Sequence, residues 1–170
     1  SAVDIALWDI RGKTRKQPLW KMAGGANDRC RAYCGAIDLN FPMKRLLANI
    51  QGYLDRGYTA VKIKVGKPDP NDDLRRIETV RKAIGPTPKL MVDANAKWDL
   101  PTAIQYGSRF PEFDVTWFEE PIWHDDVRGH AHLASRITTP LALGELLYNL
   151  DSFREFVVSG GVHFLQPDAT

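Results

Sequence analysis

The chain has 170 residues, of which 44% are apolar, 26% charged and 10% aromatic, with a formal net charge of +2. This is the make-up of one ordinary soluble globular unit that can bury a sizeable core. It recommends no nucleic acid, because the basic residues are scattered rather than gathered on one face, and no membrane, because no apolar run approaches the ~18 residues of a spanning helix and no signal-peptide pattern opens the chain.

The chain enters in full helical pattern with "DIALWDIRGK" (4–13) and stops at "QPDAT" straight after a strand-like run, so it reads as a piece of a longer protein. Cys30 and Cys34 lack the further partners of a zinc cage and read as reduced core thiols, which makes the cytoplasm the default compartment. Strand-like runs then follow at "RCRAYC" (29–34), "AVKIKV" (60–65), "KLMVDA" (89–94), "DVTWFE" (114–119), "PLALGE" (140–145) and "VHFLQP" (162–167). Each but the last is followed by a helical stretch. "NDDLRRIETVRKAIGP" (71–86) carries acids in its first turn, an apolar stripe of Leu74, Ile77, Val80 and Ile84, and Gly85 with Pro86 as its stop. "WDLPTAIQYGSRF" (98–110) offers Asp99 as an N-cap and Pro101 in its first turn.

Strands alternating with helices predict a parallel α/β sheet. Without a Gly-rich dinucleotide loop, six strands fit a (β/α) TIM-like barrel better than an open doubly wound sheet. A complete barrel takes eight units and about 250 residues, so about six units are present here.

In such a barrel the C-terminal strand ends build the active site. Asp93 ends "KLMVD", Glu119 ends "VTWFE" and Glu145 ends "LALGE", each 26 residues after the last. One such acid alone reads equally well as a helix cap or a solvated loop residue. Three at one-unit intervals predict a shared rim and a cation among them, and hard oxygen donors favour Mg²⁺ or Mn²⁺ over zinc. His124, His130, His132 and His163 fall at none of the corresponding positions and read as surface or core residues. In "AVKIKVG" (60–66) Lys62 and Lys64 leave the strand on one face, toward those acids. A like charge alongside favours the neutral amine of one of them, which makes it a candidate proton-abstracting base.

"AVKIKVG", "MVDANAKW", "WFEEP", "LALGE" and "LQPDA", in this order, resemble the barrel domain of the enolase superfamily, within the mandelate racemase and muconate lactonizing enzyme family, and in particular the mandelate racemase group. The resemblance covers essentially the whole chain, including the opening "SAVDIALWDIRGKTRKQPLWKMAGG". It implies a C-terminal barrel domain over residues 1–170, with the N-terminal capping domain and the last barrel strands absent. It implies further that Asp93, Glu119 and Glu145 are the metal ligands, that Lys64 is the base, and that Lys62 is its electrostatic neighbour and helps to hold the substrate carboxylate. Asn95 matches a substrate-binding position, Asp168 an acid that orients a catalytic histidine on the following strand, and Glu120 stands behind Glu119.

The implied activity is that of a Mg²⁺-dependent lyase. The proton α to a carboxylate is removed to give an enolate, and an acid sugar is dehydrated to a 2-keto-3-deoxy acid; a small-molecule carboxylate is the partner, and the full-length protein is a homo-oligomer. Racemisation or epimerisation of a 2-hydroxy acid uses the same residues. A Schiff-base aldolase would need a barrel lysine but not three carboxylates. A truncated, non-catalytic barrel is the reading without an enzyme.

Overall fold

The computed structural model describes residues 2–35 and 37–168, so Ala169, at the end of "LQPDA", lies outside the described residues. The chain falls into an N-terminal unit running to Ala32 and a main unit, Tyr33–Asp168. The N-terminal unit holds α1 (Ala2–Arg15), the helix expected from the opening residues, and the short α2 (Leu19–Met22). Leu19 packs over Gly12, the buried position of α1, while Val3, Leu7 and Ile10 are exposed.

The main unit is built on six strands: β1 (Cys34–Gly35), β2 (Ala60–Lys64), β3 (Lys89–Asp93), β4 (Val115–Glu119), β5 (Leu141–Leu143) and β6 (Phe164–Leu165). They form one parallel sheet in chain order, each strand beside the next. A doubly wound sheet would reverse its strand order at a switch point; this one never does, which is the pattern of a barrel wall. The crossovers are α3 (Met43–Asp55), α4 (Pro70–Ile84), α5 (Leu100–Gly107), α6 (Val127–Arg136) and α7 (Leu150–Ser159). No helix among the described residues is long and apolar enough to cross a membrane.

The helix starts are written in the sequence. Asp69, Asp99, Asp126 and Asn149 each accept a hydrogen bond from a backbone N–H of the first turn they precede, satisfying donors that have no partner within the helix. Gly85 and Gly160 end α4 and α7 with positive φ.

Packing follows from alternation. Val61, Ile63, Leu90 and Val92 turn one face of the sheet toward Leu46, Ile50, Leu74, Ile77 and Val80 of the helices, and this layer is the core. The first strand is shorter than expected. The ladder begins where Cys34 pairs with Val61 and Gly35 with Lys62, and just before β2 the chain is still in the turn at Gly57 that follows α3. Cys30 is exposed and Cys34 half-buried, both free thiols, which corrects the expectation of core thiols.

Strand β4 contains a register shift. Leu90 pairs with Val115, but Val92 pairs with Phe118, so β4 carries one residue more than β3 across this stretch. Strict alternation would put Val115, Trp117 and Glu119 on one face. The bulge lets Val115 and Phe118 both join the core, and it turns Glu119 to the other face.

His130 of α6 is 0% exposed, and its Nδ1 lies 2.8 Å from the Asp126 carbonyl oxygen. Burial depresses its pKa below the ordinary 6.5, so the folded state holds it neutral. The unfolded chain binds this proton more readily, so the stability that His130 contributes is present above pH 6.5 and is lost as the pH falls. At pH 5.5 the full-length protein should lose more stability, relative to pH 7.5, than a His130→Gln variant does. Urea midpoints of both proteins at the two pH values measure this; equal losses would remove His130 as the cause.

Candidate active site

On the face of the sheet away from the core, Lys64, Asp93 and Glu119 stand in one register across β2, β3 and β4. Asp93 is 0% exposed and Glu119 1%. Two carboxylates buried side by side repel each other and have lost their water, so positive charge must meet them. The β2 lysines supply it. Lys64 Nζ donates to Asp93 Oδ2 at 2.5 Å, and Lys62 Nζ donates to Glu119 Oε1 while lying 3.5 Å from Asp93 Oδ2.

This geometry reverses part of the electrostatic expectation. Burial works against the Lys62 ammonium, but Glu119 and Asp93 outweigh it and hold its pKa above the ordinary lysine value. The proximity of a second lysine matters less than the carboxylates that both lysines face. Burial, and then the charge of Asp93, push Glu119 up in turn, while Lys62 and Gln166 oppose the rise.

Two groups missed in the sequence hold Glu119 from its other side. Trp117 Nε1 donates to Oε2 at 3.1 Å and Gln166 Nε2 donates to it at 2.8 Å. Both residues stand in motifs already singled out, "WFEEP" and "LQPDA", but only the folded sheet brings β6 to β4. Trp117 lies edge-on to Tyr33 and tilted on Phe164, and Lys62 Nζ sits 5.4 Å from the Tyr33 ring centre. These rings floor the site.

The backbone is strained at the same rim. Asn95, Ala96 and Glu120 have positive φ, at 44°, 58° and 39°, a region that non-glycine residues rarely enter. The turn is held by Asn95 N–H, which donates to Asp93 Oδ1 at 2.9 Å. Glu120 is 1% exposed, hydrogen-bonded by Asn95, and leaves its Oε1 buried without a partner. Burial, then the charges of Glu145, Asp93 and Glu119, push its pKa up to about 7.

The third predicted carboxylate is not in register with the other two. Glu119 pairs with Ala142, not Glu145, so the equal spacing in sequence hides a shorter step from β4 to β5. Strand β5 ends at Leu143, and the chain turns away at Gly144 (φ 145°), where a side chain would strike the Gln166 backbone at 2.9 Å. Glu145 is exposed, with its charge within reach of Glu120. Asp168 is exposed beyond the end of β6. Among the described residues, no three of His, Cys, Asp and Glu come together closely enough to hold an ion as they stand. The donor chemistry nevertheless suits a hard divalent cation: Asp93 and Glu119 offer carboxylate oxygens, and the Glu120 Oε1 is buried and unpartnered.

The histidines do not enter this cluster. His163 Nδ1 accepts from Leu141 N–H at 3.0 Å, His132 is exposed on α6, and His124 stacks on Trp123 in the loop after β4.

Comparison with known proteins gives the same reading of the fold. The profile of the family described as Enolase C-terminal domain-like matches residues 45–170. The chain is 39% identical to the L-talarate/galactarate dehydratase of Salmonella typhimurium, covering 99% of this chain and 43% of that protein. It is also 39% identical to the 3,6-anhydro-alpha-L-galactonate cycloisomerase of Streptomyces coelicolor, covering 100% and 47%. It thus spans under half the length of these curated relatives. Among solved structures, a racemase from Streptomyces coelicolor with bound magnesium superposes with a TM-score of 0.94 at 39% identity, over 98% of this chain and 50% of that one. The L-talarate dehydratase from Polaromonas, complexed with Mg and L-glucarate, gives 0.90 at 37% identity, over 99% and 48%. A sequential parallel sheet whose polar face gathers two lysines and two buried carboxylates, together with these matches, means that the chain belongs to the Enolase C-terminal domain-like family of the enolase superfamily.

Proposed function

We propose that this barrel removes the proton α to a carboxylate of an acid sugar, and that the full-length protein then expels the β-hydroxyl to give a 2-keto-3-deoxy acid. The observation that carries the reading is the meeting of Lys62 and Lys64 with Asp93 and Glu119 at the C-terminal ends of β2, β3 and β4. Barrels of this kind do their chemistry at that end. The printed names of relatives, talarate/galactarate dehydratase and arabinonate dehydratase among them, support the substrate class.

In this reading each residue takes a distinct role. Lys64 is the base, its amine held at the rim by Asp93. Lys62 stays charged beside Glu119, so it can hold the substrate carboxylate and offset the charge that grows there as the proton leaves. Asn95, on a turn fixed by Asp93, offers its side-chain amide to substrate hydroxyls. Asp93, Glu119 and Glu145 would hold Mg²⁺, or Mn²⁺ with the same donors. Bound there, the ion would supply the positive charge that makes a dianionic ene-diolate attainable. Trp117 and Gln166 keep Glu119 turned toward the site. Asp168 would orient a histidine from the following strand, holding its tautomer on the side opposite Lys64.

A second reading is racemisation, favoured by the magnesium-containing racemase among the structural neighbours. It uses the same base and differs only in what returns the proton. A keto-acid product, detected with a carbonyl reagent, separates dehydration from racemisation.

In the full-length protein, Lys64→Ala should abolish exchange of the substrate α-proton into deuterated buffer from the face this residue serves, by at least ~100-fold, while Mg²⁺ binding survives. NMR of the recovered substrate reads the exchange. Wild-type exchange in the variant would remove Lys64 as the base.

Asp93→Asn, Glu119→Gln and Glu145→Gln should each weaken Mg²⁺ binding by calorimetry at least ~10-fold and leave the far-ultraviolet circular dichroism unchanged. Unaltered affinity in the Glu145 variant would mean that its exposed position is its working position and that two carboxylates hold the ion.

A further inference from the structure

Strand β1 ends at Gly35, opposite Lys62. Two residues further along β2 stands Lys64, whose backbone amide donates to Asp38 Oδ1 at 2.9 Å. Asp38 belongs to the loop between β1 and α3 and is buried. Its carboxylate does not stand alone: Arg76, on α4 and 2% exposed, donates from Nη2 to the same Oδ1 at 2.9 Å and to the Asp38 carbonyl oxygen at 2.6 Å.

A second buried acid grips the residues that follow. Asp73, one turn before Arg76 on α4, accepts the Gly66 and Lys67 amides on Oδ2 at 2.9 and 2.8 Å. Gly66 is needed there, because its φ is 104° and a side chain would meet the Lys97 stem at 2.9 Å. On the other flank, Val65 N–H donates to the Asp93 carbonyl oxygen at 2.9 Å. Four successive positions, 64 to 67, thus have each backbone amide held, and three of the four bonds come from buried carboxylates.

We propose that Asp38, set by Arg76, is a positioning residue for Lys64. It fixes the backbone from which the base reaches the substrate. A lysine has a flexible four-carbon stem, so the placement of its amine depends on where its Cα is held. Asp38 touches neither substrate nor ion; it acts through the Lys64 main chain. This inference rests on Lys64 being the base proposed above.

The test uses two variants of the full-length protein. Asp38→Glu keeps the charge beside Arg76 but displaces the accepting oxygen by one methylene. Asp38→Asn keeps an oxygen at Oδ1 in place and removes the charge. Hydrogen exchange of the Lys64 amide reads the bond, α-proton exchange of the substrate in deuterated buffer reads the base, and calorimetry reads Mg²⁺ affinity.

With Asp38→Glu, Lys64 amide protection should fall at least ~10-fold and kcat for α-proton exchange about 100-fold, with KM and Mg²⁺ affinity within about twofold of wild type. Asp38→Asn should keep both the protection and most of kcat. Loss of protection with unchanged kcat would overturn the proposal, as would undiminished protection in Asp38→Glu, or an Asp38→Asn variant as slow as Asp38→Glu. A wild-type protein that exchanges no α-proton would sink the proposed function itself. Wild-type exchange that both variants retain would sink only the role of Asp38.

Discussion

Two carboxylates, Asp93 and Glu119, lie side by side with almost no contact with water, and much of the main unit answers to that constraint. In a folded protein such a pair is costly unless cations face it. Lys62 and Lys64 do so from the adjacent strand, and for that reason a strand as apolar as β2 carries two lysines. The remaining oxygen of Glu119 is covered by the Trp117 and Gln166 donors, and the second oxygen of Asp93 by the amide of Asn95. Every carboxylate oxygen of the pair has a partner that faces inward.

Holding this arrangement requires the backbone to do unusual things. The bulge in β4 re-phases the strand, so that Phe118 meets the core while Glu119 faces the lysines. Past the ends of β3 and β4 the chain enters positive φ at Asn95, Ala96 and Glu120. Such conformations persist only where the surroundings over-determine them, and they concentrate at functional sites. The helices contribute beyond packing, because on α4 the buried Asp73 bonds the chain just past β2 and Arg76 bonds Asp38, which holds the Lys64 amide. A packing core on one face and a charged cluster on the other are therefore coupled through a few hydrogen bonds.

The family relationship places these features in a working context. The relatives carry names of dehydratases and cycloisomerases. This chain spans under half of the length of the relatives that bear those names.

The sequence by itself determined the repeat of strand and helix, the caps at Asp99 and Gly85, the polar face of β2 and the pairing of that face with Asp93 and Glu119. These follow from period-two alternation, turn chemistry and residue type, all of which are local. The tertiary structure alone decided three things. It placed Glu145 out of register, because the distance between strands depends on the path of the connection and not on the number of residues in it. It created the bulge that turns Glu119 inward, because register is settled between strands and not within one. It brought Asp38 to Lys64, Arg76 to Asp38 and Gln166 to Glu119, since contacts across 26, 38 and 47 residues exist only once the chain has folded the distance between them.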